Sequence, residues 1–87
     1  MIFIRTADRS AINAAHVTRL FVRKASVEKY ELCASITGPQ MPYLLATYPT
    51  DERAFSAMTF IIIQMNEYKG GSNVNLIMAP DFHDGSE

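Results

Sequence analysis

The sequence contains one cysteine, no tryptophan, four glycines and four prolines in 87 residues. A single cysteine, Cys33, excludes an intramolecular disulfide and any metal site built from several cysteines, which is typical of a reducing cytoplasm. Long apolar runs are also missing: residues 60–63 are far short of a membrane span, and the apolar start of the chain is too short for a signal peptide. These absences predict a cytoplasmic protein.

The net charge is also close to zero, with a formal value of −1 at pH 7. The charge is unevenly distributed, because residues 1–30 carry six basic and two acidic side chains and the remainder of the chain has a balance of −5. A value near zero disfavours general nucleic-acid binding. With 48% hydrophobic and 20% charged residues, the composition is that of a folded globular chain. Its length fits one domain.

One long helix is predicted over residues 50–69. Thr50 is a suitable N-cap, Asp51 and Glu52 complement the helix dipole, and the pair Gly70-Gly71 provides a stop. At 100° per residue the apolar side chains of this segment fall within an arc of roughly 160°. This core stripe is predicted to pack on a sheet and contains Ala54, Phe55, Ala57, Met58, Ile61, Ile62, Met65 and Tyr68.

The other apolar segments are short and alternate in polarity, as strands do. Strands are predicted at residues 1–6, 11–13, 17–24, 28–37, 43–48 and 73–78, with an irregular corner or single helical turn at 13–16, for which a corner is favoured. In the last strand Val74, Leu76 and Met78 are expected to face inward. The resulting fold class is α+β, with an antiparallel, meander-like sheet of about five strands and one long helix on one face. Residues 1–80 form the domain, and residues 81–87 are expected to be a flexible acidic tail.

The layout resembles a family of small uncharacterised proteins from Gram-positive bacteria and their phages. The similar segments are Ile4-Arg5-Thr6 with Asp8, Ile12-Asn13 with Val17, Leu45-Ala46-Thr47-Tyr48 leading into Asp51-Glu52-Arg53-Ala54, and Met78-Ala79-Pro80. The resemblance implies an association with a phage or mobile element and an inhibitor or accessory factor that acts by binding a host protein. It implies no catalytic motif. This sequence departs from the relatives in one respect, because Phe60 and Ile63 stand on a helix face that is charged in them.

No constellation of catalytic or metal-ligating residues stands out. His16 lies in the corner without a second histidine nearby, and Asp81-Phe82-His83-Asp84 belongs to the expected tail, which lacks second-shell support for a metal. Cys33 falls in the middle of a strand, with nothing placed to orient His16 as its base. The sequence therefore predicts no enzyme, no metal and no cofactor. A small metal- or thiol-dependent enzyme is the remote alternative.

The first candidate site is the helix face opposite the core stripe, where Phe60 and Ile63 lie one turn apart. No single sheet could bury both this pair and the stripe. The pair is therefore predicted to bind a protein partner or a second copy of the chain, in a homodimer with antiparallel helices and with Ser56 and Glu67 at the rim. The alternative is an intramolecular cover by residues 73–78 or by Phe82. The predicted function is a non-enzymatic protein-interaction module without membrane contact.

A second candidate site combines aromatic and basic residues on the predicted sheet. Sheet-surface aromatics flanked by cations stack single-stranded bases in several nucleic-acid-binding modules. The alternative function is therefore single-stranded nucleic-acid binding, or binding of another anionic partner, through Arg5, Arg19, Phe21, Arg23 and Lys24.

Overall fold

The computed structural model describes residues 1–38, 40–69 and 73–80. Within these ranges the elements are β1 (Ile2–Arg5), β2 (Ala11–Asn13), β3 (Val17–Ser26), β4 (Lys29–Ile36), β5 (Tyr43–Tyr48), α1 (Asp51–Tyr68) and β6 (Asn75–Ile77). The predicted α+β class, with one helix on antiparallel sheet, is confirmed. The stop Gly70-Gly71 and the expected tail at 81–87 lie outside the described residues.

The six strands found among the described residues form two three-stranded sheets, where the sequence predicted one sheet of about five strands. In the first sheet β1 lies between β2, which is antiparallel to it, and β6, which is parallel. In the second sheet β4 lies between β3 and β5, both antiparallel. The two sheets are separated after β2, because a single turn of 3₁₀ helix (Ala14–His16) redirects the chain. This turn replaces the expected irregular corner, and the Asn13 side chain caps it by accepting from the Ala15 N–H at 2.9 Å.

The core lies between α1 and the inner faces of both sheets. Ala54, Ala57 and Ile61 of the helix have no exposed surface, and the two alanines allow close approach of the helix to the strands. Sheet residues that contribute to the same core include Ile4 and Leu32, both fully buried.

The buried stripe of α1 is narrower than the sequence predicted. Phe55 and Ile62 were expected in the core, but they are 50% and 45% exposed. The buried residues centre on about 270° when Asp51 is set to zero, whereas the predicted stripe centres near 320°. The cause lies in the second sheet, which ends at β3, so that no strand of residues 1–38, 40–69 or 73–80 lies beneath this flank of the helix.

The inward face of β6 is the opposite of the predicted one. Val74, Leu76 and Met78 are 73%, 51% and 52% exposed, whereas Ile77 is 2% exposed. Pairing with β1 sets this parity, because Ile77 lies opposite the buried Ile4 in the parallel register. A shift of one residue exchanges the two faces of a strand, so the pairing outweighs the larger number of apolar residues on the other face.

Candidate interaction surfaces

The first surface lies on α1, whose N-terminus begins as predicted. The Thr50 hydroxyl accepts from the Arg53 N–H at 3.2 Å, and Asp51 and Glu52 occupy the first turn. From position 54 to position 66 the helix carries no charged side chain. This run is visible in the sequence, but its meaning depends on how much of the helix the sheets cover.

The sheets leave about half of the helix circumference in solvent, including the predicted pair. Phe60 is 40% and Ile63 is 50% exposed with residues 73–80 in place, so the β6 segment does not cover them. The other suggested cover, Phe82, lies outside the described residues. Ser56 and Glu67 are exposed beside the pair. We call Ser56, Phe60, Ile63 and Glu67 the outer helix face.

The polar groups near this face include one hydroxyl that is already satisfied. The Thr59 hydroxyl donates to the Phe55 carbonyl oxygen at 3.0 Å, within the helix. Burying Thr59 against another chain therefore leaves no hydroxyl donor without an acceptor. The charged side chains of α1 are restricted to its two ends, with Asp51, Glu52 and Arg53 at the start and Glu67 near the end, followed by Lys69 at the C-cap.

The second surface is the outward face of the second sheet. The antiparallel register places Arg19, Phe21 and Arg23 of β3 opposite Ser35, Cys33 and Glu31 of β4. The Arg19 guanidinium lies 4.4 Å from the centroid of the Phe21 ring, a cation–π contact. Arg23 Nε donates to Glu31 Oε1 at 2.7 Å. On this face one cation is therefore stacked on the aromatic ring and another is paired with a carboxylate.

Two residues predicted for this face lie elsewhere. Lys24 pairs with Tyr30 in the register and lies 5.9 Å from its ring centroid, on the side of the sheet that packs against the helix. Its position follows from strand alternation, because Lys24 has the parity of Leu20 and Val22. Arg5 belongs to β1, in the other sheet. The basic and aromatic face is therefore smaller than predicted.

Cys33 lies on the outward face of β4 but has no exposed surface. Its register partners are Phe21 on β3 and Leu44 on β5, which form an apolar row across the sheet. Burial raises the pKa of the Cys33 thiol, so the unreactive protonated form is favoured. The alternation pattern had not indicated Leu44 as a neighbour, because β5 contains an irregularity in register next to Cys33.

His16 is not brought to the thiol. It ends the 3₁₀ turn, and its carbonyl accepts from the Thr37 N–H at 2.9 Å. Thr37 is four residues beyond Cys33, a distance of about 13 Å along an extended strand. Among the described residues no three metal-ligating side chains cluster. His83 lies outside the described ranges.

The turn between β1 and β2 contains a small polar network. The Thr6 hydroxyl donates to Asp8 Oδ1, and the Ser10 N–H lies 3.1 Å from both that carboxylate oxygen and Thr6 Oγ1. The hydrogen bond from Thr6, supported by the one from Ser10, lowers the pKa of the Asp8 carboxyl. Arg9 adopts a φ of 70° in this turn. The network closes the turn and has the geometry of local backbone stabilisation.

Two depressions border α1. One, of about 620 Å³, lies between the end of the helix and the start of the first sheet, and is lined by Met1, Ile2, Asn13, Ala14, Ala15, Met65, Asn66, Tyr68 and Lys69. The other, of about 360 Å³, lies between α1 and β3 and is lined by Val17, Thr18, Arg19, Leu20, Met58, Ile62, Met65 and Asn66. We call the second one the β3 groove. Sequence reasoning missed it because it had assigned Ile62 to the core. Met58 and Met65 do pack against the core as predicted, and they also line the groove.

Comparison with protein-family models, with curated proteins and with solved structures finds no match to this chain. No helix among the described residues is long and apolar enough to cross a membrane.

Proposed function

We propose that this protein is a non-enzymatic interaction module and that the outer helix face is its binding surface. One observation carries the proposal: positions 54–66 of α1 have no charge, although Phe60 and Ile63 are 40% and 50% exposed. Exposed helix faces of monomeric proteins normally carry charged side chains, and contiguous apolar patches mark contact sites. The Phe60 ring and the Ile63 side chain provide the apolar anchors that bind a second chain.

A second copy of the chain is the partner that the charges on α1 favour. In an antiparallel pair about Phe60, Glu67 of one copy approaches Arg53 of the other, since each lies seven residues from Phe60 on the same side of the helix. The antiparallel arrangement of the two helix dipoles is also favourable. A parallel pair would instead bring the acidic helix starts together. Phe60 lies near the middle of α1, so a twofold axis there buries the anchors of both copies at the centre, with Ser56 and Glu67 at the rim.

The test is the replacement of Phe60 by Glu together with Ile63 by Lys. We expect the wild type to have the mass of two chains by size-exclusion chromatography with light scattering, and the double variant to have the mass of one. Circular dichroism should be unchanged, because neither residue belongs to the core. The matched control replaces Val27 by Glu and Met41 by Lys, two apolar residues 81% and 83% exposed outside the helix, and should remain a dimer.

A monomeric wild type at its highest soluble concentration contradicts the homomeric form of the proposal. An unfolded double variant contradicts exposure of the pair and indicates an intramolecular cover. If the wild type is monomeric and the double variant is folded, a partner protein is sought with the wild type as bait and the double variant as the negative control.

Single-stranded nucleic-acid binding is the second candidate, favoured by the presence of Arg19, Phe21 and Arg23 on one outward face. Two contacts weaken this candidate. The Glu31 carboxylate pairs with Arg23, and the Arg19 guanidinium already stacks on the Phe21 ring. We expect no oligonucleotide affinity tighter than roughly tens of micromolar at physiological salt. Fluorescence anisotropy with a labelled single strand measures this. A submicromolar, salt-sensitive affinity that is lost in Arg19→Ala with Arg23→Ala would make this candidate the better one.

A further inference from the structure

The β3 strand forms an edge of the second sheet. The strand order is β3-β4-β5, so β3 pairs with β4 on one side and with no other strand of the described residues on the other. Register irregularities lie between Val17 and Arg19 and between Lys24 and Ser26, and between them β3 is regular. An edge of this kind presents a row of backbone N–H and C=O groups that can pair with a further strand.

The β3 groove lies directly beside this edge. Its helix wall includes Ile62, which is 45% exposed, and Phe55 lies two turns earlier on the same flank with 50% exposed. The sequence pattern assigns both residues to the core stripe, and the part of the chain that the structure describes supplies no strand to cover them. A strand added beside β3 would lie beneath this flank. Every second side chain of that strand would then enter the groove next to Leu20.

The side chains of β3 determine which strand fits. On the outward face Arg19 and Arg23 lie on either side of Phe21, and Arg23 also donates through Nε to Glu31 of β4 at 2.7 Å. On the groove side Leu20 and Val22 alternate with them. β3 contains no acidic residue. Directly opposed side chains on neighbouring strands are about 5 Å apart, so opposite charges attract there and like charges repel. Antiparallel pairing with a second copy of β3 about Phe21 would place Arg19 against Arg23, which disfavours self-association at this edge.

We propose that β3 binds an extended segment of a different protein by β-strand addition. The segment has the pattern acidic, apolar, aromatic, apolar, acidic, with its acidic residues opposite Arg19 and Arg23. One apolar side chain enters the β3 groove against Leu20 and Ile62. Because the pattern reads the same in both directions, it suits a parallel or an antiparallel addition. Main-chain hydrogen bonds supply affinity and the alternating side chains supply selectivity.

The first test uses synthetic peptides on the full-length protein. The probe is a fluorescein-labelled peptide with Glu-Val-Tyr-Val-Glu at its centre and serines on both sides. We expect it to bind about tenfold more tightly than the same peptide with Lys in place of both Glu residues. A third peptide, with backbone N-methyl groups on both valines and the tyrosine, should lose binding, because it cannot form the ladder. Amide chemical shifts should change along β3 and in the adjoining helix flank.

The second test reverses the charges. Arg19→Glu with Arg23→Glu should bind the Lys peptide better than the Glu peptide, which a merely destabilised protein would not do. Ile62→Ser should weaken both peptides, whereas Ile63→Ser, its exposed neighbour outside the groove, should leave peptide affinity unchanged. Ile63 belongs to the outer helix face. Comparison of the Ile62→Ser and Ile63→Ser variants therefore distinguishes peptide binding at β3 from binding at the outer helix face.

Three results would overturn the proposal. The first is the absence of shift changes along β3 at millimolar peptide. The second is equal affinity for the Glu, Lys and N-methylated peptides. The third is loss of Glu-peptide binding in the charge-reversed variant without a gain for the Lys peptide, while circular dichroism shows that the variant is folded.

Discussion

Asp8 stabilises the turn between β1 and β2 in its ionised form, since the Thr6 hydroxyl and the Ser10 N–H donate to it. Hydrogen bonds to the charged form hold its folded-state pKa below the ordinary value of 3.8. The unfolded chain therefore binds the proton more readily. The stabilisation is fully present above pH 3.8 and is lost as the pH falls through the lower folded-state pKa.

We expect the difference in unfolding free energy between the wild type and Asp8→Asn to be constant near neutral pH. It should shrink as the pH falls below 3.8. Urea unfolding at a series of pH values between about 6 and 2 measures it. Thr6→Val provides the control, because without the Thr6 hydroxyl the pH dependence of the same difference should largely disappear. A difference that grows on acidification would show that Asp8 is not stabilised as an anion.

At the same scale, the ion pair between Arg23 and Glu31 affects the charge of the outward sheet face more than it affects the free energy of unfolding. The Arg23 side chain is 51% exposed, and exposed pairs contribute little to folding. Its effect is to offset the charge of one of the two cations on this face, because Arg23 pairs with Glu31 while Lys24 lies on the other side of the sheet. This leaves the Arg19 guanidinium, stacked on Phe21, as the more available charge for an anionic partner.

At the scale of the element, β6 shows how pairing determines which residues a strand buries. The parallel register with β1 places Ile77 in the core, where it is 2% exposed, and leaves Leu76 opposite Phe3 on the other face with 51% exposed. The short strand is also held at its start, because the Asn75 N–H donates to the Met1 carbonyl oxygen at 2.9 Å. β6 therefore depends on the N-terminus of the chain.

Replacing Ile77 by Ala should cost about 2–4 kcal/mol of unfolding free energy, because it leaves a cavity beside Ile4. The matched replacement Leu76→Ala should cost less than about 1 kcal/mol, because that side chain is half in solvent. Chemical denaturation of the two variants provides the comparison. Equal losses, or a larger loss for Leu76→Ala, would mean that the parity predicted from sequence is correct and that Ile77 faces outward.

At the scale of the whole molecule, Cys33 reports on cooperative unfolding. It lies on the central strand of the second sheet, between β3 and β5, with no exposed surface. A reagent can reach the thiol only when the Phe21–Leu44 row or the sheet itself opens. Reactivity of Cys33 therefore measures the stability of this sheet, and not that of a frayed end.

We expect a thiol-specific reagent to modify Cys33 more than about a hundredfold more slowly in the native protein than in the denatured chain. The labelling rate should rise with denaturant in parallel with global unfolding. The control carries Ser26→Cys with Cys33→Ala, which places an exposed thiol at the end of β3 and should react at nearly the denatured rate. Comparable rates for the two native proteins would show that the outward sheet face opens locally.

Much of the secondary structure follows from local patterns. The strand at 43–48 has the predicted bounds, and Thr50 caps α1 as expected. Caps, turns and alternation involve residues close in sequence, so a single sequence contains the necessary information. The outward position of Phe60 and Ile63 follows for the same reason, since the rotation per residue of a helix is constant.

The tertiary structure decided the features that depend on contacts between distant residues. The parity of β6 depends on β1, more than 70 positions away, where the Met1 amino group donates to the Asn73 carbonyl oxygen. The exposure of Phe55 and Ile62 depends on how many strands lie beneath α1, which neither residue encodes. A periodic sequence determines which side chains share a face, but only the pairing of remote strands determines which face is covered, because burial is a property of the two surfaces that meet.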